Sequence, residues 1–117
     1  MSGRSRHYGG LAAEEAVARR YEQMGGEILA RRWRSEAGEI DLVVRAGDVT
    51  VFVEVKARRD HDLAAQAFSR QQWRRVAASA EVFMSDTGRA GGDMRFDLAL
   101  VDRGGAVSLI ENAAIWE

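Results

Sequence analysis

Asp41, Glu54 and Lys56 are the residues of this chain whose types and spacing point to chemistry. They lie in two short runs, Gly38-Glu39-Ile40-Asp41-Leu42 and Val53-Glu54-Val55-Lys56, separated by one tight turn at Ala46-Gly47-Asp48. Both runs alternate apolar and polar residues, the period-2 signature of strands. Gly47-Asp48 is a Gly-X pair suited to a two-residue type II′ hairpin loop. With that loop Ala46 faces Val49, Asp41 lies opposite Glu54, and Glu39 lies opposite Lys56. The four charged side chains then share one face. Opposed side chains have Cβ atoms roughly 4.5–5.5 Å apart, where like charges repel. A hard divalent cation such as Mg²⁺ or Mn²⁺ offsets that repulsion, because it takes carboxylate oxygens and keeps several waters. Lys56 would sit one pleat along, roughly 7 Å from Glu54. A three-residue loop would instead place Val53 opposite Asp41 and turn Glu54 to the other face. The plain alternative is an amphipathic hairpin whose polar face meets water. Val43 and Phe52 on the charged face count against it, since they imply cover, and covered carboxylates need a partner. Metal-free, mutual repulsion should raise at least one carboxylate pKa.

Of 17 basic residues only Lys56 is lysine. A compact ammonium differs physically from a planar guanidinium and can sit beside a water or a phosphate oxygen where the fork does not fit.

The rest of the chain must position these groups. Its 117 residues, 46% hydrophobic and 30% charged, suit one soluble domain with a single core. The absence of cysteine excludes disulfides and Cys-ligated zinc, and two histidines make a histidine-rich metal site a poor fit. No apolar run reaches the roughly 20 residues of a membrane span, and the start has no apolar signal core. The expectation is a cytoplasmic protein with no membrane association. A net charge of −1 does not advertise a nucleic-acid binder, so that role would rest on local arginine clusters.

Residues 1–9 read as a loose polar arm and residues 10–117 as one domain. From about Gly10 to Met24 the spacing predicts a helix with Ala13, Val17, Ala18, Tyr21 and Met24 on one face. Glu14 falls in the middle of that face and needs a partner, either an arginine or the carboxylate pair with its metal; Glu15 falls off it. Gly25-Gly26 ends the helix. Residues 27–34 read as a strand carrying Arg31, Arg32 and Arg34 around Trp33, a cluster suited to phosphate and base contact or to a solvated edge with one buried tryptophan. Arg58 and Arg59 follow Lys56, then Asp60-His61-Asp62, which reads as a surface loop rather than a metal site. Residues 70–85 form a helix with Trp73, Val76, Ala77, Ala80, Phe83 and Met84 inward. Ser69 and Gln72 make its capping box, and Arg70, Arg74 and Arg75 its basic side. Residues 94–101, interrupted by Asp97, and 106–110 read as strands. The order is α-β-β-β-α-β-β, a mixed α/β sheet with helices packed on it.

Asp41 followed by Glu54-Val55-Lys56 resembles the PD-(D/E)xK nuclease motif. More closely, the chain resembles the YraN-like family of small bacterial proteins, in Ala13-Glu14, Ile28-Leu29-Ala30-Arg31, Gly38 to Leu42, Val51 to Lys56, Arg58, Arg95-Phe96-Asp97 and Ile110 to Ala113. The resemblance spans roughly residues 10–114. It implies a restriction-endonuclease-like αβββαβ core and Mg²⁺-dependent (or Mn²⁺-dependent) hydrolysis of DNA, with branched or structured DNA among the candidate substrates. It implies catalytic roles for Asp41, Glu54 and Lys56, and metal ligation by Asp41, Glu54, the Val55 carbonyl and Glu14. Arg31, Arg32, Arg58, Arg70 and Arg74 would meet the nucleic acid, with Glu39 and Gln72 in support. A homodimer follows by analogy with nucleases that cut two strands. Two departures stand out: Gln72 replaces a lysine often found early in the second helix, and Arg70 replaces a proline. The other reading is a nucleic-acid-binding protein on the same fold that does not cleave.

Overall fold

The computed structural model describes residues 2–57 and 68–114, with side chains described from residue 10 onward. Arg58, Arg59 and the Asp60-His61-Asp62 loop therefore lie outside the described residues.

Helix α1 (Ser2–Gln23) comes first. It includes residues 2–9, which the sequence sets apart as an arm. Gly3, Gly9 and Gly10 weaken helical propensity there, but no proline forbids it. The helix ends in a Schellman motif: Gly25 adopts φ +91°, and the Gly26 N–H reaches back to the Tyr21 carbonyl at 2.9 Å. Met24, expected on the inner face, lies beyond the last turn and is exposed. Strands β1 (Glu27–Ser35), β2 (Gly38–Ala46) and β3 (Val49–Ala57) follow as an antiparallel meander. Helix α2 (Arg70–Asp86) leads into β4 (Asp93–Val101), which runs parallel to β3, and β5 (Val107–Ile110) closes the far edge antiparallel. The spatial order β1-β2-β3-β4-β5 makes a mixed sheet. The α-β-β-β-α-β order and mixed pairing are those of the restriction-endonuclease-like core.

The two helices cover opposite faces, so both faces of the sheet are core. Ala13, Val17, Ala18 and Tyr21 of α1 pack with Leu42, Val44, Val51, Val53, Ala99 and Val101. Trp73, Val76, Ala80, Phe83 and Met84 of α2 pack with Ile40, Val43, Phe52, Phe96, Leu98 and Leu100. The capping box of α2 forms in full: the Gln72 N–H donates to Ser69 Oγ at 3.2 Å, and the Ser69 N–H donates to Gln72 Oε1 at 2.6 Å. Ser79, which the periodicity leaves outside, is fully buried. Its Oγ would lie 3.1 Å from a Cβ at Gly38, so glycine at 38 is what lets α2 sit this close to β2.

The β2–β3 turn behaves as the Gly-X pair requires. Gly47 has φ +62°, and Asp48 is not among the residues with positive φ, the type II′ pattern. The pairs run from Ala46–Val49 to Leu42–Val53, the register expected. There the partnership ends. β2 stays on β1 as far as Ser35–Gly38, and β3 stays on β4 as far as Ala57–Val101. The sheet forks between β2 and β3, and Asp41 and Glu54 are the first residues past the fork. Strand β1 is irregular as well. Its register on β2 shifts between Ile28 and Ala30, the Arg32–Asp41 pair is missing between Arg31–Leu42 and Trp33–Ile40, and Arg32 takes the left-handed φ +47°. The alternation of β2 breaks at Asp41: Ile40, expected beside Leu42 and Val44 on the α1 face, belongs to the α2 face.

Candidate active site

At the fork each strand's open amide is taken by the other strand's carboxylate. The Asp41 N–H donates to Glu54 Oε2 at 3.2 Å, and the Val55 N–H donates to Asp41 Oδ2 at 2.9 Å. Buried amides that lose a ladder partner must find another acceptor. The two carboxylates supply it and are thereby held together in the cleft. Glu54 is 8% exposed, so the hairpin face does not simply meet water. Glu39 is not drawn opposite Lys56. The fork has opened by that point, and Glu39 pairs instead with Arg34 at 3.6 Å in an exposed position.

Burial pushes Asp41 up to about 6; the Val55 N–H opposes this, and Glu14 adds to it. Glu54 is raised well above the ordinary carboxylate range, first by burial and then by the Asp41 charge. Repulsion, the cause anticipated from the sequence, ranks behind desolvation. Lys56 pulls both acids the other way.

Lys56 is half-buried, and its ammonium sits over the Phe68 ring, 5.1 Å from the centroid. Phe68 meets Trp73 edge-on at 4.5 Å. With Ser69 as N-cap, Phe68 and Trp73 occupy the N′ and N4 positions, a hydrophobic staple. The packing that fixes the entry of α2 thus also carries the platform for the Lys56 ammonium. The sequence signal for Phe68 is an aromatic placed directly before the capping serine.

Glu14 does not join the pair. Its carboxylate meets Arg32 Nε at 2.8 Å, with the glutamate side chain 18% exposed. Among the described residues no group of three His, Cys, Asp or Glu side chains could hold one ion together. The convergence of three carboxylates is corrected to a pair, with Glu14 one wall of a neighbouring cavity. That cavity, about 220 Å³, is lined by Leu11, Glu14, Glu15, Arg31, Arg32, Asp41 and Leu42. Arg31 is paired with Glu15. Trp33 packs edge-on against Phe83 at 5.3 Å, so it serves the core and not a stacking platform. Arg70 and Arg74 are exposed on α2, across the sheet from the Arg31–Arg32 pair on the α1 side. Gln72 is occupied in capping.

The donor set fits a hard cation. One buried and one half-buried carboxylate, both with raised pKa values, lack a full counter-charge, and a pair of acids suits an ion that retains much of its water.

The consequence of the raised pKa values can be checked without any substrate. Asp41 titrates near 3.8 when unperturbed and near 6 in the fold, so the metal-free protein is stabilised below the lower value and loses that stability as pH rises through the upper one. Each pH unit in that window removes about 1.4 kcal/mol for a group that is charged only in the unfolded chain. Thermal unfolding in chelator should show Tm falling from about pH 4 to pH 7, with the slope reduced in Asp41→Asn. Mg²⁺ or Mn²⁺ should restore Tm most at the upper end. A flat profile would contradict the burial of these acids.

Asp97 is a centre that the sequence shows only as a polar interruption in β4. It is fully buried. It accepts from the Tyr21 hydroxyl at 2.7 Å, from Arg95 Nε at 2.9 Å and Nη2 at 3.0 Å, and from the Asn112 N–H at 3.0 Å. Burial and the Asp97 carboxylate hold the Tyr21 phenol well above its ordinary value. The same carboxylate keeps Arg95 more strongly protonated than usual. Asn112 adopts φ +55° to aim its amide at Asp97, and the Ala113 N–H bonds the Phe96 carbonyl at 2.8 Å. One carboxylate thus ties α1, β4 and the turn after β5. Tyr21 lies about two turns along α1 from Glu14, so this bond helps set where Glu14 meets the sheet.

No helix among the described residues is long and apolar enough to cross a membrane. The family model described as "Uncharacterised protein family UPF0102" matches residues 13–101. A UPF0102 protein of Cereibacter sphaeroides (strain ATCC 17029 / ATH 2.4.9) is 47% identical over 116 residues, covering 97% of each chain. One of Ruegeria pomeroyi is 46% identical over 112 residues, covering 95% of this chain and 91% of its own. One of Azorhizobium caulinodans is 45% identical over 108 residues, covering 92% and 82%. The matched span holds α1 from Ala13, the forked hairpin with its crossed carboxylates, α2 and β4. The chain belongs to the UPF0102 family, the YraN-like family that its hairpin motif resembles.

Proposed function

We propose that the protein is a Mg²⁺- or Mn²⁺-dependent phosphodiesterase acting on DNA. The observation that carries this reading is the crossed pair past the fork, half-buried Asp41 and buried Glu54, with Lys56 beside it. Asp41 and Glu54 would hold the ion, with the Val55 carbonyl as a further oxygen donor. Bound there, the ion supplies Lewis-acid polarisation of the phosphoryl group and lowers the pKa of a water. The chain's own part is positional and electrostatic. The Asp41 and Val55 amides fix the two carboxylates, so neither must reorganise during the reaction. Lys56, steadied on Phe68, offers a point charge to the phosphoryl oxygens or orients the attacking water. Exposed Arg70 and Arg74 on α2 are available to backbone phosphates. Arg31 and Arg32 could serve there only by releasing Glu15 and Glu14.

A cleavage screen over duplex, single-stranded, flap and four-way DNA with Mg²⁺ and Mn²⁺ tests this, with Asp41→Ala as control. The expected result is metal-dependent nicking of at least one substrate, lost in the control. Inertness of the wild type on all of them would overturn the assignment. A second reading, a nucleic-acid-binding protein that does not cleave, has Gln72 in its favour. Where the family resemblance puts a lysine, this side chain is taken up by the Ser69 N–H and brings no charge. Such a protein would bind DNA with a steep salt dependence and no requirement for metal.

A further inference from the structure

Resting on the metal-site reading, we propose that Arg32 is the substrate-sensing residue of this site. It holds Glu14 away from the Asp41–Glu54 pair until a DNA phosphate takes the place of Glu14 on its guanidinium, which frees Glu14 to become a third carboxylate at the ion.

Three features carry this. Arg32 stands at φ +47°, a left-handed conformation that a residue with a Cβ adopts at a cost. Backbone strain of this kind persists where the surroundings over-determine it, and it clusters at sites of function. The strain has a visible effect. Arg31 and Arg32, neighbours that an unbroken strand turns to opposite faces, both meet glutamates of α1. Next, Glu14, Arg32 and Asp41 line one cavity of about 220 Å³, so Glu14 and Asp41 border the same space. Finally, the exchange is chemically matched. A guanidinium donates to phosphate oxygens in the same planar, two-pronged way that it donates to a carboxylate. The pair is only partly covered, the arginine side chain being 33% exposed, so an incoming phosphate can reach it.

The arrangement couples two ligands through one side chain. A two-carboxylate site holds the ion weakly, and the third carboxylate becomes available only when DNA is present. Such coupling is reciprocal: DNA tightens the ion and the ion tightens DNA.

The test uses Mn²⁺ alone, measured by the loss of its free-ion paramagnetic resonance signal, on the full-length protein without DNA. Arg32→Asn is the variant of choice, because asparagine tolerates the left-handed conformation and is too short to hold Glu14. It should bind Mn²⁺ about tenfold more tightly than wild type, a shift of about 1.4 kcal/mol. Glu14→Gln should shift affinity by less than about threefold, since Glu14 is engaged by Arg32. The double variant separates the proposal from simple electrostatics. If Glu14 is what tightens the ion, the gain of Arg32→Asn vanishes when Glu14→Gln is added. A gain that survives in the double variant reflects only a removed positive charge and overturns the proposal. So does unchanged or weakened affinity in Arg32→Asn, while loss of Mn²⁺ binding in Asp41→Asn shows that the metal site itself stands. If wild type and Asp41→Asn are equally unable to bind Mn²⁺, the metal-site reading fails and this proposal falls with it. Arg32→Gly, which removes both strain and side chain, must reproduce the Arg32→Asn result.

Discussion

Replacing Lys56 with alanine is expected to lower the rate of the proposed DNA cleavage by about a hundred- to a thousandfold, the usual effect of removing one preorganised charge from a developing oxyanion. Affinity for DNA should change little, because the exposed arginines of α2 are untouched. Lys56→Arg should rescue poorly. Its guanidinium is broad and planar, and Phe68 presents a face fitted to a single ammonium at 5.1 Å. Removing the platform with Phe68→Ala should lower turnover by less than Lys56→Ala and also loosen α2, since the staple to Trp73 goes with it. Single-turnover kinetics at saturating DNA would separate the chemical step from binding. Full cleavage by Lys56→Ala would remove lysine from the mechanism while leaving the carboxylate pair in place.

The second large effect belongs to stability. Asp97→Asn removes the charge that Arg95 and Tyr21 both require, at a fully buried position. Breaking one partner of such a network costs about 3–5 kcal/mol, and the lower figure suits Arg95, whose side chain is 26% exposed. In a domain of this size that lowers Tm by on the order of 10–15 °C. Tyr21→Phe deletes one hydrogen bond to a charged group and should cost about 1.5–3 kcal/mol. Denaturant unfolding of both variants and of their combination gives the coupling. If the two losses simply add, the hydroxyl and the arginine act on Asp97 independently. A loss under about 1 kcal/mol for Asp97→Asn would show that Arg95 and the Asn112 amide find other partners.

The fold was largely legible. Gly47-Asp48 dictates its turn through one residue at positive φ, and the register of β2 on β3 follows from that turn alone. The capping box at Ser69-Gln72 and the apolar period of α2 place the second helix to within a residue. Each of these signals is local, carried by residues close in the chain. The errors lie where distant parts meet. Period-2 reasoning extends a ladder without end, so it set Glu39 against Lys56 and Ile40 beside Leu42. The strands part after Leu42–Val53 because β2 follows β1 while β3 follows β4, a choice made by the whole sheet. Glu14 was placed on the right face of its helix, but which partner it takes depends on the unusual backbone of Arg32, and no propensity scale marks an arginine for φ +47°. Asp97 looked like a flaw in an apolar strand until Tyr21 and Asn112, far off in sequence, closed on it.

The fork also changes what the core residues at its base do. Leu42 and Val53, both almost wholly buried, form the last pair before the strands diverge. They act as the axle of a pair of calipers whose jaws carry Asp41 and Glu54. The jaw opening is a dimension of the packed interior rather than of any loop. An ion held between the jaws is therefore measured against side-chain volume. Mg²⁺ asks for oxygens at about 2.0–2.1 Å and Ca²⁺ for about 2.3–2.6 Å. A methylene gained or lost at the axle would be felt one residue away as a change in gauge, so at the metal site proposed above ion preference would be written partly in aliphatic carbon.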